Sequence, residues 1–177
     1  NMILVQPQYF PTVNFFRNFN NNKIFVDFNS HYSNYININR TRIVNHSNAF
    51  EIEVPLIFNS KDIKIKELKI DQNRNWINTH FQSIQSSYGK YPYYIYYIDE
   101  IMKILQLRHN FLIDLNYDLL ALLCKFLNYE NKIEKFQNKN NLEDVIKVYN
   151  HYNLNSEKNN IDLKRNNLFL GKEFDYD

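Results

Sequence analysis

Two short apolar runs near the start of the chain constrain its fold more than any other feature. Residues 2–5 read MILV, and residues 23–28 read KIFVDF, whose apolar stretch ends at Asp27. Continuous runs of this length suit strands buried on both faces, as in parallel sheets. Between them, TVNFFRNF places Val13, Phe15, Phe16 and Phe19 at helical spacing, and Pro11 fits the first turn of a helix, where its missing N–H is not needed. Strand, helix and strand within about 25 residues predict a compact βαβ unit with parallel strands and a right-handed crossover.

The pattern then changes. NRTRIVN, AFEIEVPLIF and IKIKELKI alternate apolar and polar residues, which predicts antiparallel strands solvated on one face. After Asp71 the period becomes helical, with Trp76, Ile77, His80, Phe81, Ile84 and Tyr88 on one broad face ending near Gly89. Pro92 opens a second helix, YPYYIYYIDEIMKILQL, and FLIDLNYDLLALLCKFL predicts a third. From Asn128 the chain is polar, with one helical pattern at LEDVIKVY. A length of 177 residues with 44% hydrophobic content supports one domain with a real core. The expected architecture is therefore α/β: an N-terminal βαβ unit, antiparallel strands in the middle, and a mostly helical C-terminal half in a single compact domain. Residues 2–128 form its core, and 129–177 a partly helical polar extension packed on the same domain.

Composition excludes several function classes. The two glycines, Gly89 and Gly171, stand too far apart to share a G-x-G-x-x-G fingerprint, a Walker phosphate loop or a G-x-S-x-G nucleophile elbow. The single cysteine, Cys124, lies in the apolar run LLALLCKFL and reads as a small buried hydrophobe. The five histidines show no HxH or HExxH spacing, so neither a metal nor another cofactor is expected. Net charge is +2 with signs mixed along the chain, unlike the clustered basic footprint of a nucleic-acid binder. No segment approaches the roughly 18–20 apolar residues of a membrane span. The expectation is a cytoplasmic protein without membrane insertion, in which Asn1 before Met2 is an expression remnant. A homodimer is compatible with everything above.

Ligands of parallel α/β sheets sit beyond the carboxyl ends of the strands, where loops converge. Gln6, Gln8 and Tyr9 follow the first strand there, and Asp27 ends the second. Amides that both donate and accept suit the edge of a sugar or base, and Asp27 suits a hydroxyl or a general base. The alternative is a turn held by its own amides, with Asp27 as a cap. Arg40 and Arg42, two apart on a strand, make either a bidentate phosphate clamp or a solvated face. His80 lies on an otherwise apolar helix face, where a satisfied structural histidine competes with a functional one. The tyrosines of YPYYIYYIDE either stack a ring or simply pack.

These residues together resemble the WbqC-like family, proteins encoded with bacterial O-antigen and other surface-polysaccharide genes. The resemblance is carried by QPQYFPTVNFF, Asp27, Tyr32, NRTRI, VPL at residues 54–56, the series Trp76, His80, Ile84, Tyr88 and Pro92, and the L-x-x-x-N pattern within FLIDLNYDLL. It implies a transferase that moves a glycyl or similar acyl group onto an amino or hydroxyl group of a nucleotide-linked sugar. The implied partners are that sugar and an activated acyl donor. Arg40 and Arg42 would hold a phosphate, Gln6, Gln8, Tyr9 and Asn39 would orient polar edges, and His80 or Asp27 would remove the proton. Tyr32, Trp76 and Tyr88 complete the implied substrate-binding set. Two other readings compete: a non-catalytic nucleotide-sugar-binding or scaffold protein, and a nucleotidyltransferase-like enzyme, whose His-x-x-His turn is here Tyr9-Phe10-Pro11-Thr12.

Overall fold

A computed structural model describes residues 2–17, 19, 22–32, 37–45, 48–57, 63–129 and 133–136. The helical pattern at LEDVIKVY lies outside the described residues. Strands β1 (Met2–Val5) and β2 (Lys23–Asp27) pair in parallel, with Ile3 opposite Ile24 and Val5 opposite Val26. The connecting helix α1 is a single turn, Val13–Phe16, shorter than the aromatic spacing predicts. Pro11 precedes it by two residues instead of opening it, and the N-cap Thr12 makes no side-chain cap. Asparagines are poor helix formers, so past Phe16 side-chain packing shapes the segment: the Phe16 and Phe19 rings meet at 5.1 Å.

The middle of the chain forms two antiparallel pairs. β3 (Arg40–Asn45) pairs with β4 (Asn48–Glu53), and β5 (Leu56–Ile57) with β6 (Lys69–Ile70). AFEIEVPLIF is thus cut between β4 and β5 around Pro55, which has no N–H to give a ladder. IKIKELKI is not the single strand its alternation predicts. A 3₁₀ turn at Ile65–Glu67 interrupts it before β6. Ile65 and Leu68 are both fully buried; three residues apart, they would face opposite ways on a straight strand, and the turn brings both inside.

Three helices follow: α2 (Trp76–Tyr88), α3 (Tyr94–Gln106) and α4 (Leu112–Phe126). Gly89 ends α2 in an ordinary right-handed conformation, φ −58°. The glycine is needed for a different reason: a Cβ there would lie 2.5 Å from the Gln85 carbonyl oxygen. α4 is buried on two faces. Leu112, Leu115, Leu119 and Leu122 join the larger core with α2 and α3, while Leu120, Leu123 and Cys124 pack against Ile3, Ile24 and Val26 of the sheet. At about 2–3 kcal/mol per buried leucine, α4 joins the sheet to the helical half. Phe10, Phe28 and Phe126 touch both clusters.

The polar tail contains a strand that alternation did not reveal. β7 (Ile133–Phe136) lies parallel to β2, giving the sheet order β1-β2-β7. Two of its four residues are charged, as suits a strand beside solvent, and Glu134 meets Lys23 at 2.7 Å. Among the described residues no helix is long and apolar enough to cross a membrane. Burial pushes the Cys124 thiol up to about 12, so at pH 8 only about one molecule in 10⁴ carries a thiolate. Ellman's reagent is therefore expected to leave the native protein unlabelled and to titrate one thiol in denaturant.

Candidate functional site

The loops after β1 and β2 meet beside the start of β3 and the end of β4. Gln6 follows β1 directly and is 5% exposed. Its Nε2 donates to Ser30 Oγ at 2.8 Å, whereas its Oε1 is buried and finds no hydrogen-bond donor among the described residues. Ser30 is itself fixed, because its carbonyl accepts the Ile65 N–H at 2.9 Å. Asp27 closes β2, and its Oδ1 accepts the Asn29 N–H at 2.8 Å, which turns the chain out of the sheet. Gln8 is half-buried in the segment that follows β1.

The QPQYFP segment carries backbone strain. Phe10 has φ +46°, a conformation that an aromatic residue rarely adopts, and one disfavoured again by the proline that follows it. Thr41 Oγ1 donates to the Phe10 carbonyl at 3.1 Å, and Tyr9 N–H donates to the Asn37 carbonyl at 3.1 Å. Both bonds tie the turn to the β3 side of the site. Residues held in such regions cost about 1–3 kcal/mol and persist where surrounding contacts over-determine them, commonly at functional sites.

Beneath the turn lies a closed polar relay. The Tyr9 side chain is fully buried, and its hydroxyl lies 2.8 Å from His80 Nδ1. His80 Nε2 lies 3.1 Å from the Glu53 carbonyl oxygen. A carbonyl only accepts, so Nε2 carries the proton, Nδ1 is the acceptor, and Tyr9 donates to it. Burial lowers the His80 pKa to about 4, against a weaker opposing effect from the Glu53 carbonyl. The imidazole is thus neutral near pH 7 and engaged at both nitrogens. Burial also pushes the Tyr9 phenol well above the ordinary tyrosine range. Trp76 and Tyr88, from the same helix, lie in the core: Trp76 packs edge-on against His80 at 5.2 Å, and the Tyr88 hydroxyl accepts the Val44 N–H at 3.0 Å.

On the β3–β4 hairpin, Arg40 faces Glu53 and Arg42 faces Glu51. Opposed residues share a face, so the two arginines and two glutamates form a four-charge ladder. Arg40 Nη1 reaches Glu51 Oε1 diagonally at 3.7 Å. Asn39, 2% exposed, spans the hairpin base: its Nδ2 donates to Glu53 Oε1 at 2.8 Å and to the Val54 carbonyl at 3.1 Å. The Tyr32 phenol lies in the same field; burial and then Glu53 raise its pKa, and Arg40 opposes them. Asn116 of α4 has no exposed surface and donates to the Ile38 carbonyl at 2.7 Å, fixing the strand's approach from below.

The structure therefore brings Gln6, Asp27, Tyr32, Asn39 and Arg40 to one region, leaves Arg42 on the exposed end of the charge ladder, and sets Tyr9, His80, Trp76 and Tyr88 beneath it. Sequence reasoning missed Ser30, Thr41 and Glu53. The register of NRTRI against FEIE could have revealed Glu53, whereas Ser30 and Thr41 carry no sequence signal. Among the described residues, no group of three or more His, Cys, Asp or Glu side chains is placed to hold a metal ion.

No curated protein and no solved structure matches the chain. The profile of the WbqC-like protein family matches residues 6–160, beginning at the buried Gln6 and running through the turn, the charge ladder, the His80 relay and Asn116. With that match covering most of its length, the chain belongs to the WbqC-like protein family.

Proposed function

We propose that the protein is a transferase of bacterial surface-polysaccharide synthesis, moving a glycyl or similar acyl group onto an amino or hydroxyl group of a nucleotide-linked sugar in the crevice above Gln6 and Asp27. One observation carries the reading: a 95%-buried glutamine at the carboxyl end of a parallel strand, whose Oε1 has no hydrogen-bond donor among the described residues. A buried acceptor without a donor costs about 1–3 kcal/mol, which a sugar hydroxyl or base N–H would recover on binding. The strained Phe10 turn supports it, since such backbone strain gathers at functional sites. Arg40 stands beside Glu53 and Tyr32, its charge balanced by the glutamates of the ladder.

In this reading the sugar's amino or hydroxyl group attacks the acyl carbonyl carbon. The new N–C or O–C bond forms, the bond to the leaving group breaks with its electron pair, and the nucleophile's proton passes to the Asp27 carboxylate. His80 acts through Tyr9, as a positioning residue. Its engaged nitrogens and low pKa also favour a second reading, a non-catalytic nucleotide-sugar-binding protein, in which no titratable imidazole faces the ligand.

Thermal-shift titration against a panel of nucleotide-linked sugars tests the common core of both. A ligand at about 100 times its Kd adds roughly 2.7 kcal/mol, so at least one sugar is expected to raise the midpoint by several degrees. Gln6→Leu fills the same space and removes the orphan oxygen, so it is expected to fold and to lose that shift. A panel without any hit, or a shift undiminished in Gln6→Leu, would refute the site.

A further inference from the structure

We infer that the cleft between α2 and α3 is a second binding site, taking a small organic molecule that bears one anionic group, a carboxylate or a phosphate. The cleft holds about 600 Å³, within the range of small-molecule sites. It opens on the flank of the two helices: their buried stripes run through Trp76, His80 and Ile84 and through Tyr94, Ile98 and Ile101, whereas Ile77, Phe81 and Met102 line the cleft. These three half-buried apolar side chains suit the body of an organic ligand.

The ends of the cleft differ in charge. Arg74 and Arg108 line it together with Asn75 and Gln106, while Asp99 lies further along α3. Seven residues of helix separate Asp99 from Gln106, about 10 Å at 1.5 Å per residue. An anion therefore belongs at the arginine end, and a second anion would meet Asp99. A hydrogen-bond donor at the far end would instead find an acceptor.

The arginine end is built. Arg108 has φ +52°, an unfavourable conformation for its side chain, and its Nη2 donates to the Gln72 carbonyl at 2.9 Å. Gln72 Nε2 in turn donates to the His109 carbonyl at 2.7 Å, and Ile70 N–H to the Asn110 carbonyl at 2.9 Å. Two loops are thus cross-tied so that the arginines line one cleft. Arg74 Nε engages Asp71 at 3.4 Å, and a guanidinium with five donors keeps others for a ligand. Asn75, the N-cap of α2, makes no side-chain cap, so its amide is not committed to the helix, whose positive end adds to the field.

The test titrates the full chain with benzoate and, separately, with phenyl phosphate, following the fluorescence of Trp76, the chain's one tryptophan and the neighbour of Asn75 and Ile77. At least one anion is expected to give a saturable change, and which one does so identifies the anionic group. Terephthalate, whose second carboxylate would face Asp99, should bind several-fold more weakly than benzoate if benzoate binds, because the two like charges at the far end repel. Arg74→Gln, at a side chain 74% exposed, leaves the fold intact and should weaken binding by about tenfold, a charge-assisted hydrogen bond being worth that order. Asn78→Phe, at an exposed helical position, fills the cleft and should abolish binding, while Gln6→Leu and Asp27→Asn leave it unchanged. No saturation by either anion overturns the inference. So does a response that survives both Arg74→Gln and Asn78→Phe, or one that is lost in Gln6→Leu and kept in Asn78→Phe.

Discussion

Replacing His80 with alanine is expected to lower the unfolding free energy by about 3–5 kcal/mol, because the change opens a cavity and strands two buried polar groups at once. The Tyr9 hydroxyl loses its acceptor at 2.8 Å, and the Glu53 carbonyl loses its donor at 3.1 Å. Tyr9→Phe removes one bond, and the expected loss is about 1–2 kcal/mol. Urea unfolding followed by Trp76 fluorescence measures both, since that ring packs against His80.

The pH dependence separates this account from a mere loss of volume. The folded-state pKa is lowered to about 4, while the unfolded chain titrates near 6.5. Between those values the unfolded state binds a proton that the folded state refuses, so the stabilising contribution is complete above about pH 6.5 and is lost as pH falls toward 4. The loss amounts to about 3 kcal/mol. In His80→Gln, which keeps a polar side chain without a titrating group, this component of the pH slope should vanish. A stability loss below about 1 kcal/mol in His80→Ala, with wild type and His80→Gln parallel from pH 7 to 4, would refute the relay.

What could be read in advance follows from how each element gets its stability. β1, β2 and the three long helices are built by burial, so their apolar periodicity survives in the sequence. α4 is the clearest case, with leucines on two faces serving two clusters. β7 stays invisible because an edge strand is chosen by its partner's unpaired backbone, and its lysine and glutamate hide any alternation. The 3₁₀ turn at Ile65–Glu67 was misread because I-K-I-K alternates until Leu68 breaks the period. At the site, residue types marked Gln6, Asp27 and Arg40, and the family resemblance added Asn39, but pairing decided what each can do. Cross-strand register set Glu51 and Glu53 against Arg42 and Arg40, which turns an apparent phosphate clamp into a balanced ladder. Likewise, the spacing of Trp76, His80 and Tyr88 foretold a helix face without saying that its histidine would be sealed by Tyr9.

Asp27→Asn is the substitution expected to affect transfer most, by about 10²–10⁴-fold in single-turnover rate, the range contributed by general-base catalysis. Asp27 stands at the carboxyl end of β2, in the loop region that Gln6 and Ser30 join by their 2.8 Å bond. Its Oδ1 is oriented by the Asn29 N–H, and an asparagine carbonyl oxygen can accept that same bond, so the turn and the fold should persist. In the proposed reaction, the change removes the proton acceptor and little else. Nucleotide-sugar binding, read by thermal shift, should stay within a few-fold of wild type while the chemical step collapses, a split between binding and rate that a merely structural role would not produce. His80→Gln should behave in the opposite way, losing stability while an enzyme that remains folded keeps most of its rate. Full transfer by Asp27→Asn at saturating substrate would remove Asp27 from the chemistry. If wild type and variant alike bound the sugar and neither transferred an acyl group to it, the non-catalytic reading would stand in place of the transferase, since the crevice would then recognise its ligand without acting on it.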